Sequence, residues 1–182
     1  MDDLQVLAEI RNGNKSLYKE IIHKYERLIA ATITGMIGHC AEVDDIGQEV
    51  FIRFYKAIPN FRGEASIGTY ITRIAINLSI NELKRRKRRN YVFLNAEDNL
   101  IETIRLSKSD QNKEEIELVK QAIQQLEPKF RSVITLRLID GYSTEETAQI
   151  LKIPLGTVLS RLARAQQKLK KILSPIMEVN DG

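Results

Sequence analysis

Two helical stretches broken by a proline constrain this chain more than any other feature of it. Residues 141–151 and 156–171 carry apolar side chains at helical spacing, and Lys152-Ile153-Pro154-Leu155 interrupts them. Pro154 lacks an N–H and restricts the residue before it, so a single straight helix is excluded. Gly141 can take the left-handed conformation that ends a preceding helix. Ser143 and Glu146 have capping-box spacing, in which each side chain satisfies a backbone N–H of a new helix. The spacing predicts a helix to about Leu151, a tight turn, and a second helix from near Gly156-Thr157.

At about 100° per residue, Val158, Leu162, Ala165 and Leu169 fall on one side of that second helix. With Ala148 and Ile153 they are expected to close a small core. Thr157, Ser160, Arg161, Arg164 and Lys168 fall on another side. Between Leu151 and Leu173 there are six basic residues and no acidic one. This is the pattern of a helix-turn-helix whose second helix enters the DNA major groove. Arginine can pair in bidentate fashion with guanine edges or phosphates, whereas lysine acts mainly as a point charge.

Charge is unevenly spread along the 182 residues, whose net charge is +4. Residues 1–89 hold 15 basic and 11 acidic side chains, residues 90–117 hold 3 and 7, and residues 118–182 hold 10 and 6. Two basic modules around an acidic segment suggest two contacts with nucleic acid and a connector kept away from it. Cys40 is the only cysteine, which excludes an internal disulfide framework. His39 beside it lacks further ligands at useful spacing, so a packing role is expected for the pair and no metal site. No apolar run approaches the ~20 residues needed to span a bilayer, and Met1-Asp2-Asp3 is not a secretory start. A cytoplasmic protein without membrane insertion is expected.

Almost everything else reads as helix, so the fold class expected is all-α: two small helical domains joined by a flexible linker. Residues 3–11 and 15–38 show helical spacing, with Gly35 and Gly38 read as a loosening. Ile46, Val50, Phe51, Phe54, Tyr55 and Ile58 form a stripe ahead of Pro59. After the loop Asn60–Ser66, a helix is expected from about Ile67 to Arg89, with Tyr70, Ile71, Ile74, Leu78 and Leu83 buried. It ends in six consecutive cations, Lys84 to Arg89, a density for which a phosphate partner is the natural reason. Residues 91–112 read as an acidic, flexible linker. Helices resume at about Lys113 and again after Pro128, running from Lys129 to Ile139. The domains are therefore expected at 1–90 and 113–175.

Three blocks in this order resemble the bacterial RNA polymerase sigma factors of the extracytoplasmic-function group. They are Asp45-Ile46-Gly47-Gln48-Glu49-Val50-Phe51; Phe61-Arg62-Gly63-Glu64 leading into Thr69-Tyr70 and Arg73-Ile74-Ala75; and Gly156-Thr157-Val158 followed by Ser160-Arg161-Leu162. The resemblance implies a region 2 domain, a linker and a region 4 domain. It implies that Asp45, Gln48 and Glu49 bind the clamp coiled coil of the largest catalytic subunit of core RNA polymerase, and that region 4 meets the flap of the second. It also implies that Phe61, Arg62 and Asn77 receive an unstacked base of the −10 element. Lys84, Arg85, Arg86, Arg88 and Arg89 would then hold the DNA backbone nearby. Ser160, Arg161, Arg164 and Lys168 would read the −35 element, with Thr157 on phosphate.

The resemblance further implies a linker near the RNA exit path and an anti-sigma factor as a partner, with no catalysis and no cofactor. Leu159 and Gln166 depart from the group, where Lys or Arg and Arg are frequent; Tyr70 replaces a frequent Trp. Two other functions compete. A helix-turn-helix regulator would bind an operator without polymerase. A nucleic-acid enzyme would hold a metal on Asp44, Asp45 and Glu49, but the chain has no second acidic cluster and no phosphate-cradling glycine loop.

Overall fold

A computed structural model describes residues 2–94 and 111–180. Its elements are α1 (Asp3–Arg11), α2 (Tyr18–Ile37), α3 (Glu42–Ala57), α4 (Ile67–Leu94), α5 (Gln111–Gln124), α6 (Pro128–Ile134), α7 (Thr144–Leu151) and α8 (Leu155–Asn180). Short 3-10 turns precede α2 and follow α3, and no strand occurs among the described residues. The fold is all-α, as the apolar spacing predicts. The expected linker lies mostly outside the described residues, but its first four residues extend α4 and its last two open α5.

The N-terminal half packs α2, α3 and α4 around Ile21, Ile29, Ile33, Met36, Val50, Phe54, Ile71 and Ile76. α1 starts with a capping box: the Gln5 amide donates to Asp2 Oδ1 (2.8 Å) and the Asp2 amide to Gln5 Oε1 (3.0 Å). At its other end Arg11 donates to the carbonyl of Ile58 (3.0 and 2.9 Å) and to that of Phe61, so α1 fixes the loop after α3. The C-terminal half builds a smaller core from Ile123, Leu126, Phe130, Ile134 and Ala165, with Leu162, Leu169 and Ile172 packed on it.

The two halves pack against each other, which the spacing of apolar residues did not reveal. Leu136 and Ile150, from the C-terminal half, are buried in the N-terminal core. Polar contacts surround them. Thr32 Oγ1 lies 2.8 Å from Asp140 Oδ2, Tyr142 Oη 2.8 Å from Thr72 Oγ1, and Arg73 donates to the Gln149 carbonyl at 2.9 Å. Gln124 Nε2 donates to the Gly35 carbonyl (2.9 Å), and the buried Arg131 donates to the Met36 carbonyl (2.6 Å). On α4 the most buried positions accordingly include Thr69, Thr72, Ser79 and Glu82 beside Ile71, Ala75 and Ile76. Tyr70, Ile74, Leu78 and Leu83, expected inside, are only half-buried. A helix face that meets another polar surface loses its apolar signature.

Two backbone features make the approach possible. Gly35 lies inside α2 and is not a loosening: a Cβ there would sit 2.7 Å from Thr135 Cγ2. The expected single helix 129–139 is α6 followed by a wider π-type turn, Thr135–Ile139, closed by the Asp140 amide on the Thr135 carbonyl (2.8 Å). That turn carries Leu136 and Asp140 to α2. Gly38, at φ 78°, ends α2. His39 is exposed, against the packing role expected of it, while Cys40 is half-buried.

Asp140 makes this packing pH-dependent. Burial pushes its carboxyl up to about 6 from 3.8, although the Thr32 hydroxyl pulls it down, and Oδ1 has no partner. The packed form thus binds the proton more tightly than the unfolded one. Its contribution is full below pH 3.8 and is lost as pH rises through about 6. We expect Asp140→Asn to remove that component, read as a smaller difference in thermal midpoint between pH 4.5 and 7.5 than in the parent. Gly35→Ala should loosen the two halves, seen as a larger radius of gyration in small-angle scattering. Adding Thr135→Ala, which removes the clashing atoms, should restore it.

Candidate nucleic-acid and protein interfaces

The helix-turn-helix forms as its caps dictate. The Glu146 amide donates to Ser143 Oγ (3.1 Å) and the Ser143 amide to Glu146 Oε2 (2.8 Å), and Gly141 has φ 77°. Lys152 ends α7 in the left-handed region (φ 52°), and its amide and that of Ile153 converge on the Ala148 carbonyl. The Pro154 carbonyl accepts from Thr157 and Val158 and so starts α8 one residue before the expected position. Val158 and Ala165 are fully buried. Ser160, Arg164 and Lys168 are exposed, and Thr157 and Arg161 half-buried. Ser160 Oγ donates to the Thr157 carbonyl (3.1 Å). Lys168 lies 3.4 Å from Glu127 and 5.3 Å from the Phe130 ring centroid, so it is drawn toward α6.

At the other end, the loop after α3 borders an open cavity of about 810 Å³ lined by Phe61, Arg62, Gly63, Glu64, Tyr70 and Arg73. Gln149 and Lys152 of the helix-turn-helix close its far side. Phe61 is 8% exposed and meets Phe54 and Tyr70 edge to face, with ring centroids at 5.9 and 5.2 Å. It forms a wall in this packed arrangement and shows no free face for stacking. Arg62 is exposed at the rim; Asn77 is exposed on α4 and does not line the cavity.

The six-cation run is divided by its packing. Arg85 donates to Glu82 (2.7 and 3.1 Å). Arg86 turns inward to Glu82 (3.0 Å), Glu42 (3.3 Å), the Ile37 carbonyl (3.0 Å) and Cys40 Sγ (2.9 Å). Lys84, Lys87, Arg88 and Arg89 are exposed. On α3, Asp45 and Gln48 are exposed, and Glu49 is half-buried and paired with Arg53 at 2.7 Å. Asp44, Asp45 and Glu49 do not converge: no cluster of metal-ligating side chains occurs among the described residues.

Comparison with known proteins agrees with this arrangement. Sigma-70 region 2 matches residues 21–89, and sigma-70 region 4 matches residues 116–169. The RNA polymerase sigma-H factor of Pseudomonas aeruginosa is 34% identical over 184 residues, covering 96% of this chain and 95% of that protein. This chain belongs to the extracytoplasmic-function family of RNA polymerase sigma factors. The sigma-E factor of Escherichia coli K12 is 31% identical over 185 residues, covering 95% of each. Two solved structures share the fold. CnrH in complex with the cytosolic domain of CnrY gives a TM-score of 0.70 at 21% identity, over 95% of this chain and 97% of that one. The sigma factor RpoE in complex with the anti-sigma factor NepR from Bartonella quintana gives 0.70 at 19%, over 86% and 96%.

The chain is thus a promoter-recognising sigma factor, and the operator-binding alternative is not favoured. Sequence reasoning missed Arg11, which holds the loop of this sigma factor from 47 residues away in Ile58. It also missed Gln149 and Lys152 as cavity walls, since only the packing of the two halves brings them there. Neither leaves a local sequence signal. Arg86→Ala should lower unfolding free energy by about 1–3 kcal/mol, because it takes the side-chain partner from the Ile37 carbonyl and one of two arginines from Glu82. Arg88→Ala, at an exposed position, should stay within about 0.5 kcal/mol. Urea unfolding of both checks the division of the run.

Proposed function

We propose that this sigma factor uses the α3 face bearing Asp45, Gln48 and Glu49 to bind the clamp coiled coil of core RNA polymerase. Region 4 meets the flap. The cavity beside Phe61 and Arg62, with Asn77, takes up the −10 element, and the start of α8 reads the −35 element through Ser160, Arg161 and Arg164. The observation that supports this reading best is that Asp45 and Gln48 on α3 and Ser160 and Arg164 on α8 are all exposed at once. Lys84, Arg88 and Arg89 supply backbone contacts that raise affinity and salt dependence with little sequence discrimination. Arg85, Arg86, Thr157 and Lys168 act mainly by holding these surfaces in place. The role is that of a cytoplasmic specificity factor without catalysis of its own. No described helix is long and apolar enough to cross a membrane.

Geometry adds a requirement. The −10 and −35 elements lie 25 base pairs apart, about 85 Å at 3.4 Å per pair. A compact chain of 182 residues has a radius of gyration of about 16 Å. The packed halves must therefore separate on the promoter. An anti-sigma partner, as RpoE has in NepR, would act by hiding the α3 face and the basic face of α8. If so, that partner and core polymerase compete for this chain.

The test is run-off transcription from host genomic fragments with core polymerase, with and without the protein. Discrete new start sites that require the protein are expected; tight duplex binding without polymerase and without new transcripts would overturn the proposal. Replacing Asp45 and Gln48 by Ala should weaken core binding about tenfold or more, the worth of one or two charge-assisted hydrogen bonds. Their thermal midpoints should stay those of the parent.

A further inference from the structure

The first two turns of α8 carry no charge. From Ile153 to Ser160 there is neither an acid nor a base, and the large side chains that project are apolar. Leu155 is 42% exposed and Leu159 50% exposed. They sit four residues apart on one flank of the helix, a flank that continues through the exposed Ala163 and Gln166. That flank adjoins exposed Ser160, whose hydroxyl already donates to the Thr157 carbonyl. Beside them, a Cβ on Gly156 would meet nothing within 4 Å, so the helix start stands open to a large partner.

A recognition helix contacts base edges with its N-terminal residues. On those edges in the major groove the one apolar group is the C5 methyl of thymine. Leucine side chains exposed there have no hydrogen bond to offer guanine, adenine or cytosine. We infer that Leu159, flanked by Leu155, reads a thymine methyl in the upstream promoter element and makes thymine a determinant of this factor's promoter choice. The inference rests on α8 being the helix that binds the −35 element. It assigns to apolar contact one position of the recognition helix, and so predicts a promoter preference at one base pair.

The test uses holoenzyme assembled from core polymerase and the full chain, on a promoter mapped by run-off transcription. Each thymine of the upstream element, on either strand, is replaced singly by deoxyuridine, which deletes only the methyl group. One position should show binding about fourfold weaker, the worth of one buried CH₂. Leu159→Ala should bind the thymine and deoxyuridine duplexes alike at that weaker level, while Leu159→Met should keep the difference. If deoxyuridine is silent everywhere although scrambling the element abolishes binding, the inference fails and the −35 role of α8 stands. If scrambling is also silent, both fail. A Leu159→Ala variant that weakens binding yet preserves the thymine preference places this leucine against polymerase and overturns the inference too.

Discussion

A buried arginine with no carboxylate partner among the described residues ties the two halves of this molecule together. Arg131 is 7% exposed, and its guanidinium donates to the carbonyls of Met36, Gln124 and Leu126 and to the Gln124 side chain. Burial, with the nearby Arg86 charge, pushes it down to about 10, so it stays protonated at neutral pH. Carbonyl dipoles at the end of α2 and at and just after the end of α5 therefore supply most of the stabilisation of a buried charge, while Nε has no partner. This ties the end of α2 to α5 and α6 at a fixed distance. The glycine at position 35, the π-type turn and the Thr32–Asp140 contact all operate inside that frame.

Local features of the fold were legible because local chemistry determines them. The Ser143–Glu146 box, Gly141 and the break before Leu155 each act within a few residues, and the structure forms them as the spacing predicts. Contacts between the halves were not legible, because both faces are partly polar. Thr72 and Ser79 on α4 lie outside the apolar set expected inside, yet both are fully buried. Gly35 read as a helix weakness because a missing side chain looks the same whether it marks flexibility or a close approach. Arg86 read as one of six equivalent cations, and only the fold sets Glu42 and the Ile37 carbonyl beside it.

The placement of Phe61 follows the same logic. An aromatic in a loop after a helix can serve as a stacking platform or as a lid for the core, and composition does not separate the two. Here its ring meets Phe54 and Tyr70 edge to face, contacts that favour order over exposure. The loop backbone, pinned by Arg11, is what gives the cavity its shape. Base selection in such a pocket would come from Arg62 and the loop rather than from a freely offered ring.

The contact between halves is more polar than either core. Its core contribution is small, Leu136 and Ile150, and its remaining bonds are hydrogen bonds worth about 1 kcal/mol each after exchange with water. Asp140 adds a carboxyl that is mostly ionised above pH 7 and leaves one oxygen unpartnered, which works against closure. If promoter binding needs the separated form, apparent affinity falls by the fraction of chains that are open. On the proposed reading, polymerase would bind faces on both halves and supply the free energy of separation, whereas isolated promoter DNA would have to separate them unaided. On that reading, a modest closing energy would suffice to make DNA recognition wait for the polymerase. A much larger one would tax the holoenzyme as well, which is why a polar, sparsely apolar contact suits the task better than a second hydrophobic core.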